Sequence, residues 1–324
     1  MIIDTHAHFT PQAMLASLKS EADQFPNVEL LHQDDSYQLV FAGRSPTRPL
    51  SPKLRETEQR LTWMDEQSID QQIVGGWLDS FGYELPGKEG EAWSRFLNEF
   101  QMSGTENNSR LTPLATVPLQ DGKRAAKVLE EALAGGFKGT MIGTQPKGNQ
   151  GNLDDPDLDP FWEAANGLGA TIYLHPMFGC GDPRLLDYDM INAVGRGTDT
   201  TTAVARMLFA GHFLKYPNMN FILSHGGGAI PYMLGRLARN YEIHPGKYAD
   251  PMSGFKKLYF DSVLFAPNAL TYLCSCCGAD RVMLGSDYPF PIGDGVPLKI
   301  IASADLDDTQ KQMILGDTAA GLFF

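Results

Sequence analysis

The 324-residue chain is 43% hydrophobic, enough to bury a large core, and its length fits two domains or one barrel-sized domain. Its 39 acidic against 26 basic residues leave a net charge of −13, which argues against a sequence-independent grip on nucleic-acid phosphates or anionic lipid. No apolar stretch approaches the roughly 20 residues of a membrane span, and the N-terminus lacks the basic region, apolar stretch and cleavage site of a signal peptide.

Short apolar, β-branched runs recur at residues 2–4, 72–77, 111–117, 139–144, 171–176, 220–225, 258–263 and 282–287. Amphipathic segments lie between them, such as 51–67 ("SPKLRETEQRLTWMDEQ") and 122–136 ("GKRAAKVLEEALAGG"), the second closing on glycines that suit a helix C-terminus. Near-continuous apolar strands alternating with helices imply parallel βαβ units. Eight such units predict an α/β fold, a (β/α)8 TIM barrel, with 1–324 as a single domain.

Two connections are longer than the pattern needs. In the first, "NVELLHQDDSYQLVFAG" sets two alternating apolar runs around a turn-like "QDDS" and predicts a β-hairpin insertion over 26–50. Loops after barrel strands build the active-site face, so this hairpin is expected to border it. The second is the Gly- and Asp-rich span from Phe178 to Gly197, on the same face. The cysteines, Cys180, Cys274, Cys276 and Cys277, lack the spacing of a disulfide framework or of paired metal ligands. They read as reduced, buried small hydrophobes in a cytoplasmic protein.

The chain opens "MIIDTHAHF", and side chains two apart on a strand point to one side, so His6 and His8 can grip one object. His175, His225 and Asp287 also fall at predicted C-terminal strand ends, where barrel enzymes place their chemistry. The other histidines, His32, His212 and His244, fall in the hairpin, a helix and a polar segment, and read as structural or surface. Three imidazoles and a carboxylate suit a borderline divalent ion with a position left open, and one further histidine is then available as a base. No G-x-S-x-G elbow supports a serine triad instead.

"THAHF", "YLHP", "LSHGGGAIP" and "LGSDYPFPIG" resemble, in that order, the metal motifs of the amidohydrolase superfamily. The likeness lies in its amidohydrolase-2 branch of aminocarboxymuconate-semialdehyde and aromatic-acid decarboxylases, and covers nearly the whole chain. It implies His6, His8, His175 and Asp287 as ligands of one zinc, manganese being the other candidate, with His225 as the base and Asp287 beside it in catalysis. It also implies that Arg236 reaches a substrate carboxylate across a homodimer interface and that Arg48, with Arg44 as the neighbouring candidate, binds the other carboxylate. The chain departs from the family where Asn192 stands at an aromatic position and Arg196 is an added cation, so the expected substrate is an analogue. The binuclear members' strand-four lysine is replaced by "IGTQP", Lys138 being at the wrong end of that strand, which favours one metal.

Trp77, Met177, Phe178 and Phe290 are expected to line the mouth, which with the arginines suits a flat conjugated acid. The glycines of "HGGGAIP" fit either a tight turn or close substrate approach to a helix N-terminus. The leading expectation is metal-dependent, non-oxidative decarboxylation of an unsaturated or aromatic carboxylic acid. Hydrolysis of a lactone or amide at the same site is the second, and an idle barrel that binds a metal or partner the third.

Overall fold

A computed structural model describes residues 1–148, 150–177 and 181–324. Its strands are β1 (Ile3–His8), β2 (Val28–Gln33), β3 (Ser36–Phe41), β4 (Gln71–Gly75), β5 (Leu111–Pro113), β6 (Thr140–Gly143), β7 (Thr171–His175), β8 (Asn220–Leu223), β9 (Leu258–Asp261) and β10 (Val282–Met283). All but β2 and β3 are parallel, in the orders β1-β4-β5 and β10-β9-β8-β7-β6. Isolated parallel bridges, Ala115 to Thr140 and Ala7 to Tyr288, link the neighbouring edges of these two sheets. The fold is α/β, with helices between the parallel strands. No helix among the described residues is long and apolar enough to cross a membrane.

Each apolar run overlaps a strand, and these strands are buried along most of their length because helices pack against them. β7 is buried at every residue. The helix Gly122–Ala134 starts where the Asp121 side chain accepts from the Arg124 N–H, and the chain leaves it through Gly136 at φ +103°. The expected helix over 51–67 is instead two, Pro52–Arg55 and Thr57–Glu66, broken at Glu56 with φ −98° and ψ 105°. A tertiary bond accompanies the break: the Leu54 carbonyl accepts from the Thr10 N–H at 3.0 Å.

β2 and β3 form an antiparallel ladder turning at Asp34, with the His32 ring stacked 4.2 Å from that of Tyr37. Its apolar side packs on Phe25, Trp93 and Phe96, in the same cluster as Trp77. This cluster carries the chain into Arg48 beside the strand ends. Cys274 is buried, and Cys276 and Cys277 are half-buried; Cys180 lies outside the described residues.

On the outer layer, Glu91 joins two neighbouring helices, accepting from Arg95 at 2.6 Å and from Arg124. Burial works against the Glu91 carboxylate, but the bonds from Arg95 and Arg124 outweigh it and hold its pKa at about 2. A depressed carboxylate stabilises the fold above its unfolded pKa and loses that contribution as the pH falls. Because both arginines are partly solvated, Glu91→Gln is expected to cost about 1 kcal/mol at pH 7. Urea titrations should find that cost shrinking from pH 4.5 downward; a cost that is constant between pH 7 and pH 3 would refute the assignment.

Candidate active site

β1 carries His6 and His8 within the strand itself, rather than just beyond it as the 2–4 run suggested. Its register against β4 shifts between Asp4 and Ala7, an irregularity of the kind that re-aims side chains next to active sites. His175 ends β7, His225 opens a short turn after β8, and Asp287 follows β10. The His6 ring lies 5.3, 5.1 and 5.1 Å from those of His8, His175 and His225. Asp287 faces them all, with Oδ1 at 3.3, 3.2 and 3.9 Å from Nε2 of His6, His8 and His175, and Oδ2 3.3 Å from His225 Nε2. Ligand atoms of His6, His175, His225 and Asp287 all lie within 4.8 Å of one another. That quartet contains His225, while His8 stands beside it against the same carboxylate oxygen.

His225 and Asp287 have φ +53° and +60°, a left-handed conformation costing a non-glycine residue of order 1–3 kcal/mol. Strain at two converging side chains points to function rather than packing. The glycines after His225 serve the turn: Gly226 and Gly228 have φ +60° and +61°, and a Cβ on Gly228 would lie 2.5 Å from the Gly197 carbonyl oxygen.

Hydrogen bonds on the far side of each ring fix which nitrogen faces inward. His6 Nδ1 donates to Asp261 Oδ2 at 2.6 Å, His8 Nδ1 to the Gly76 carbonyl at 3.0 Å, and His175 Nδ1 to the Pro176 carbonyl at 2.9 Å. When neutral, each of these rings therefore presents an Nε2 lone pair to the centre. His6 Nε2 and His175 Nε2 are buried without a hydrogen-bond partner among the described residues. Burial would lower the His6 pKa, but Asp287 and Asp261 lift it to about 10. Burial drives His175 well below the usual histidine range. Inward lone pairs around a carboxylate form a donor set that fits a divalent cation.

Several residues that support the cluster escaped the sequence reading. Asp261 Oδ1 accepts the Gly226 N–H at 2.9 Å and its Oδ2 accepts the Tyr173 hydroxyl at 3.0 Å, so one carboxylate steadies both His6 and the turn of His225. Its place at the end of "LYFD" was the available signal. Behind β1, Asp4 accepts from Gln72 Nε2, Ser286 Oγ and the His6 N–H at 2.8, 2.6 and 3.1 Å. Buried Arg60 completes this brace by donating to Gln72 Oε1 at 2.5 Å and to the His8 carbonyl, its guanidinium between the rings of Phe9 and Tyr288.

Two cavities meet at the cluster. The smaller, about 160 Å³, is lined by Arg48, Trp77, Phe290, Asn192 and Arg196 beside His8, His175 and Asp287. The larger, about 520 Å³, shares Asn192, Arg196, Ile292 and Asp287, reaches His225, and is otherwise walled mainly by apolar groups such as Val194, Met233 and Phe265. Arg48 pairs with Asp79 at 2.9 Å, its guanidinium 5.7 Å from the Phe290 ring centre. Arg236 lies exposed on the helix Ile230–Glu242 and lines neither cavity of its own chain. Phe178 lies outside the described residues. Lys138 is exposed ahead of β6, away from the cluster.

A family model described as amidohydrolase matches residues 3–324. The chain belongs to the amidohydrolase family. This amidohydrolase is 28% identical over 325 residues to the 2-amino-3-carboxymuconate-6-semialdehyde decarboxylase of Dictyostelium discoideum, covering 98% of this chain and 90% of that one. Its fold is similar to that of 5-carboxyvanillate decarboxylase from Sphingomonas paucimobilis, with TM-score 0.81, 24% identity, and coverage of 99% and 98% of the two chains. It is also similar to the Novosphingobium aromaticivorans 5-carboxyvanillate decarboxylase, complexed with manganese and 4-hydroxy-3-methoxy-5-nitrobenzoic acid, with TM-score 0.81, 21% identity, and coverage of 100% and 96%.

Second-layer carboxylates of this kind typically contribute 10- to 100-fold to metal affinity. Asp261→Asn in this amidohydrolase is therefore expected to weaken manganese binding by about 10- to 100-fold in a calorimetric titration. An unchanged affinity would mean that Asp261 does not set the orientation of His6.

Proposed function

We propose that this amidohydrolase is a metal-dependent, non-oxidative carboxy-lyase acting on an unsaturated or aromatic carboxylic acid. The observation that carries the reading is the meeting of the His/Asp cluster with a confined cavity bearing Arg48, Arg196, Trp77 and Phe290. Arginines and flat apolar walls suit a planar anion, and relatives across the full chain are named as decarboxylases. We read the cation as a single zinc held by His6, His8, His175 and Asp287, with His225 left as the acid–base group; manganese also suits histidine and carboxylate donors.

A bound divalent cation would supply positive charge that draws electron density out of the substrate's conjugated frame. Trp77 and Phe290 hold that frame flat, and Arg48 and Arg196 fix its anionic groups. The bond to the departing carboxylate breaks, CO2 leaves, and the electron pair stays on carbon. His225, steadied by Asp287 through Nε2, delivers the proton that carbon takes up.

We read the architecture as a closed (β/α)8 barrel of one domain, with 26–50 as the inserted hairpin. The edge bridges Ala115 to Thr140 and Ala7 to Tyr288 support closure, and the antiparallel ladder within 28–41 supports the insertion. We further read the protein as a homodimer in which Arg236, exposed in its own chain, serves a neighbouring site.

A panel of carboxyl-labelled aromatic and muconate-type acids tests the activity. Labelled CO2 is expected in equal amount to a product one carboxyl group smaller; a product that has only gained water would mean hydrolysis instead. His225→Asn is expected to lower kcat by about 10²- to 10⁴-fold with metal content intact, and retention of full activity would remove His225 from the mechanism.

A further inference from the structure

Residues Ile191–Gly195 form a π-helical turn directly ahead of the helix Arg196–Phe209. Such turns occur frequently at functional sites, and this one sets Asn192 where its Oδ1 accepts from Arg196 Nε at 2.8 Å. One helical turn further on, Asp199 is buried and lines neither cavity at the cluster. Its carboxylate faces the ends of β6 and β7 instead. Oδ1 accepts from Gln145 Nε2 at 3.0 Å, and Oδ2 accepts from the Thr144 hydroxyl and, at 3.1 Å, from the Met177 N–H. Thr144 Oγ1 also accepts from the Met177 N–H, at 3.0 Å, so that N–H is shared between two acceptors. Each of these bonds brings a donor to Asp199, the pattern that suits an ionised carboxylate. Burial raises the Asp199 pKa, and the bonds from Thr144, Gln145 and Met177 oppose that rise.

The Met177 N–H belongs to the same peptide unit as the Pro176 carbonyl, and that carbonyl accepts from His175 Nδ1 at 2.9 Å and from Arg196 Nη1 at 3.2 Å. A peptide is a conjugated unit. An anion at its N–H favours the form with negative charge on its oxygen, and bonds chained in this way strengthen one another. A more negative oxygen at Nδ1 in turn raises the ligand strength of Nε2. Asp199 also acts on Arg196 across space, behind the carboxylates of Asp287 and Asp79, so His175 is the cleaner reporter of the route through the peptide.

We propose that Asp199 is a positioning residue of the active site that acts through the Pro176–Met177 peptide. Its carboxylate makes the Pro176 carbonyl a stronger acceptor, which sets the His175 ring as a cation ligand and holds Arg196 against the same oxygen. The proposal rests on the reading above of His175 as a ligand of a single cation.

Proton NMR of the imidazole N–H region, on the whole chain in the presence of zinc, reads the His175 Nδ1–H bond directly, because a stronger bond moves that proton downfield. Asp199→Asn keeps the side-chain shape and removes the charge. The His175 signal is then expected to move upfield, and zinc affinity to fall about tenfold in a calorimetric titration, the lower end for an outer partner of a ligand. Thr144→Val leaves the Met177 N–H to Asp199 alone, so the same signal is expected to move downfield. The His8 Nδ1–H, bonded to the Gly76 carbonyl, is the internal reference and is expected to stay in place in both variants. A role in packing alone would loosen the site in both and move the His175 signal the same way. Shifts in one direction, a His175 signal that stays in place, or an Asp199→Asn zinc affinity equal to that of a zinc-binding parent overturns the proposal. Should Asp199→Asn not fold, Thr144→Val decides alone, an upfield or unmoved signal refuting it. Opposite shifts in a parent protein that binds no zinc uphold the Asp199 route and overturn the zinc reading instead.

Discussion

The carboxylate of Asp287 faces four imidazoles that arrive from β1, β7 and the turn after β8, and this convergence sets the terms for everything around it. Ring centres near 5 Å mean that two protonated rings would repel by roughly 3 kcal/mol at an effective dielectric near 20. Such a cluster is tolerable only with most rings neutral and an anion or a bound cation at its middle. The outer hydrogen bonds of His6, His8 and His175 prepare a place for such a cation, because each fixes Nδ1 as the donor and turns Nε2 inward. Order in the site therefore comes from acceptors behind the rings as much as from the rings.

The parallel strands were legible because burial on both faces makes them nearly continuous apolar runs, a signal that survives without any alignment. The histidines were legible because strand ends are where such sheets present chemistry, and because a strand places residues two apart on one side. Asp261 obeys the same positional rule, yet an aspartate at a strand end reads equally well as the start of a solvated loop. Arg60 left no trace: on a helix with polar neighbours it resembles a solvent-facing charge, and its burial comes from Phe9 and Tyr288, far away in sequence. The break at Glu56 was hidden for a related reason, since the competing bond to the Leu54 carbonyl comes from Thr10.

Arg48 and Arg196 show how recognition depends on elements with weak local signatures. Arg48 follows a hairpin whose alternation was readable, but its pairing with Asp79 joins two loops that only the folded chain brings together. Arg196 was noticed as an extra cation, while the π-helical turn that aims it has no residue pattern of its own.

That turn also bears on how such a protein can change over evolutionary time. The cluster sits on or just beyond strands, where adding or removing a residue would disrupt the sheet, whereas a π turn is a helix that has already absorbed an additional residue. Losing one residue there would rotate the preceding stretch by about 100°, sweeping Asn192 away from Arg196 without moving an imidazole. The turn that bears Asn192 and the strands that bear the imidazoles are thus separate parts of the chain, open to change one at a time.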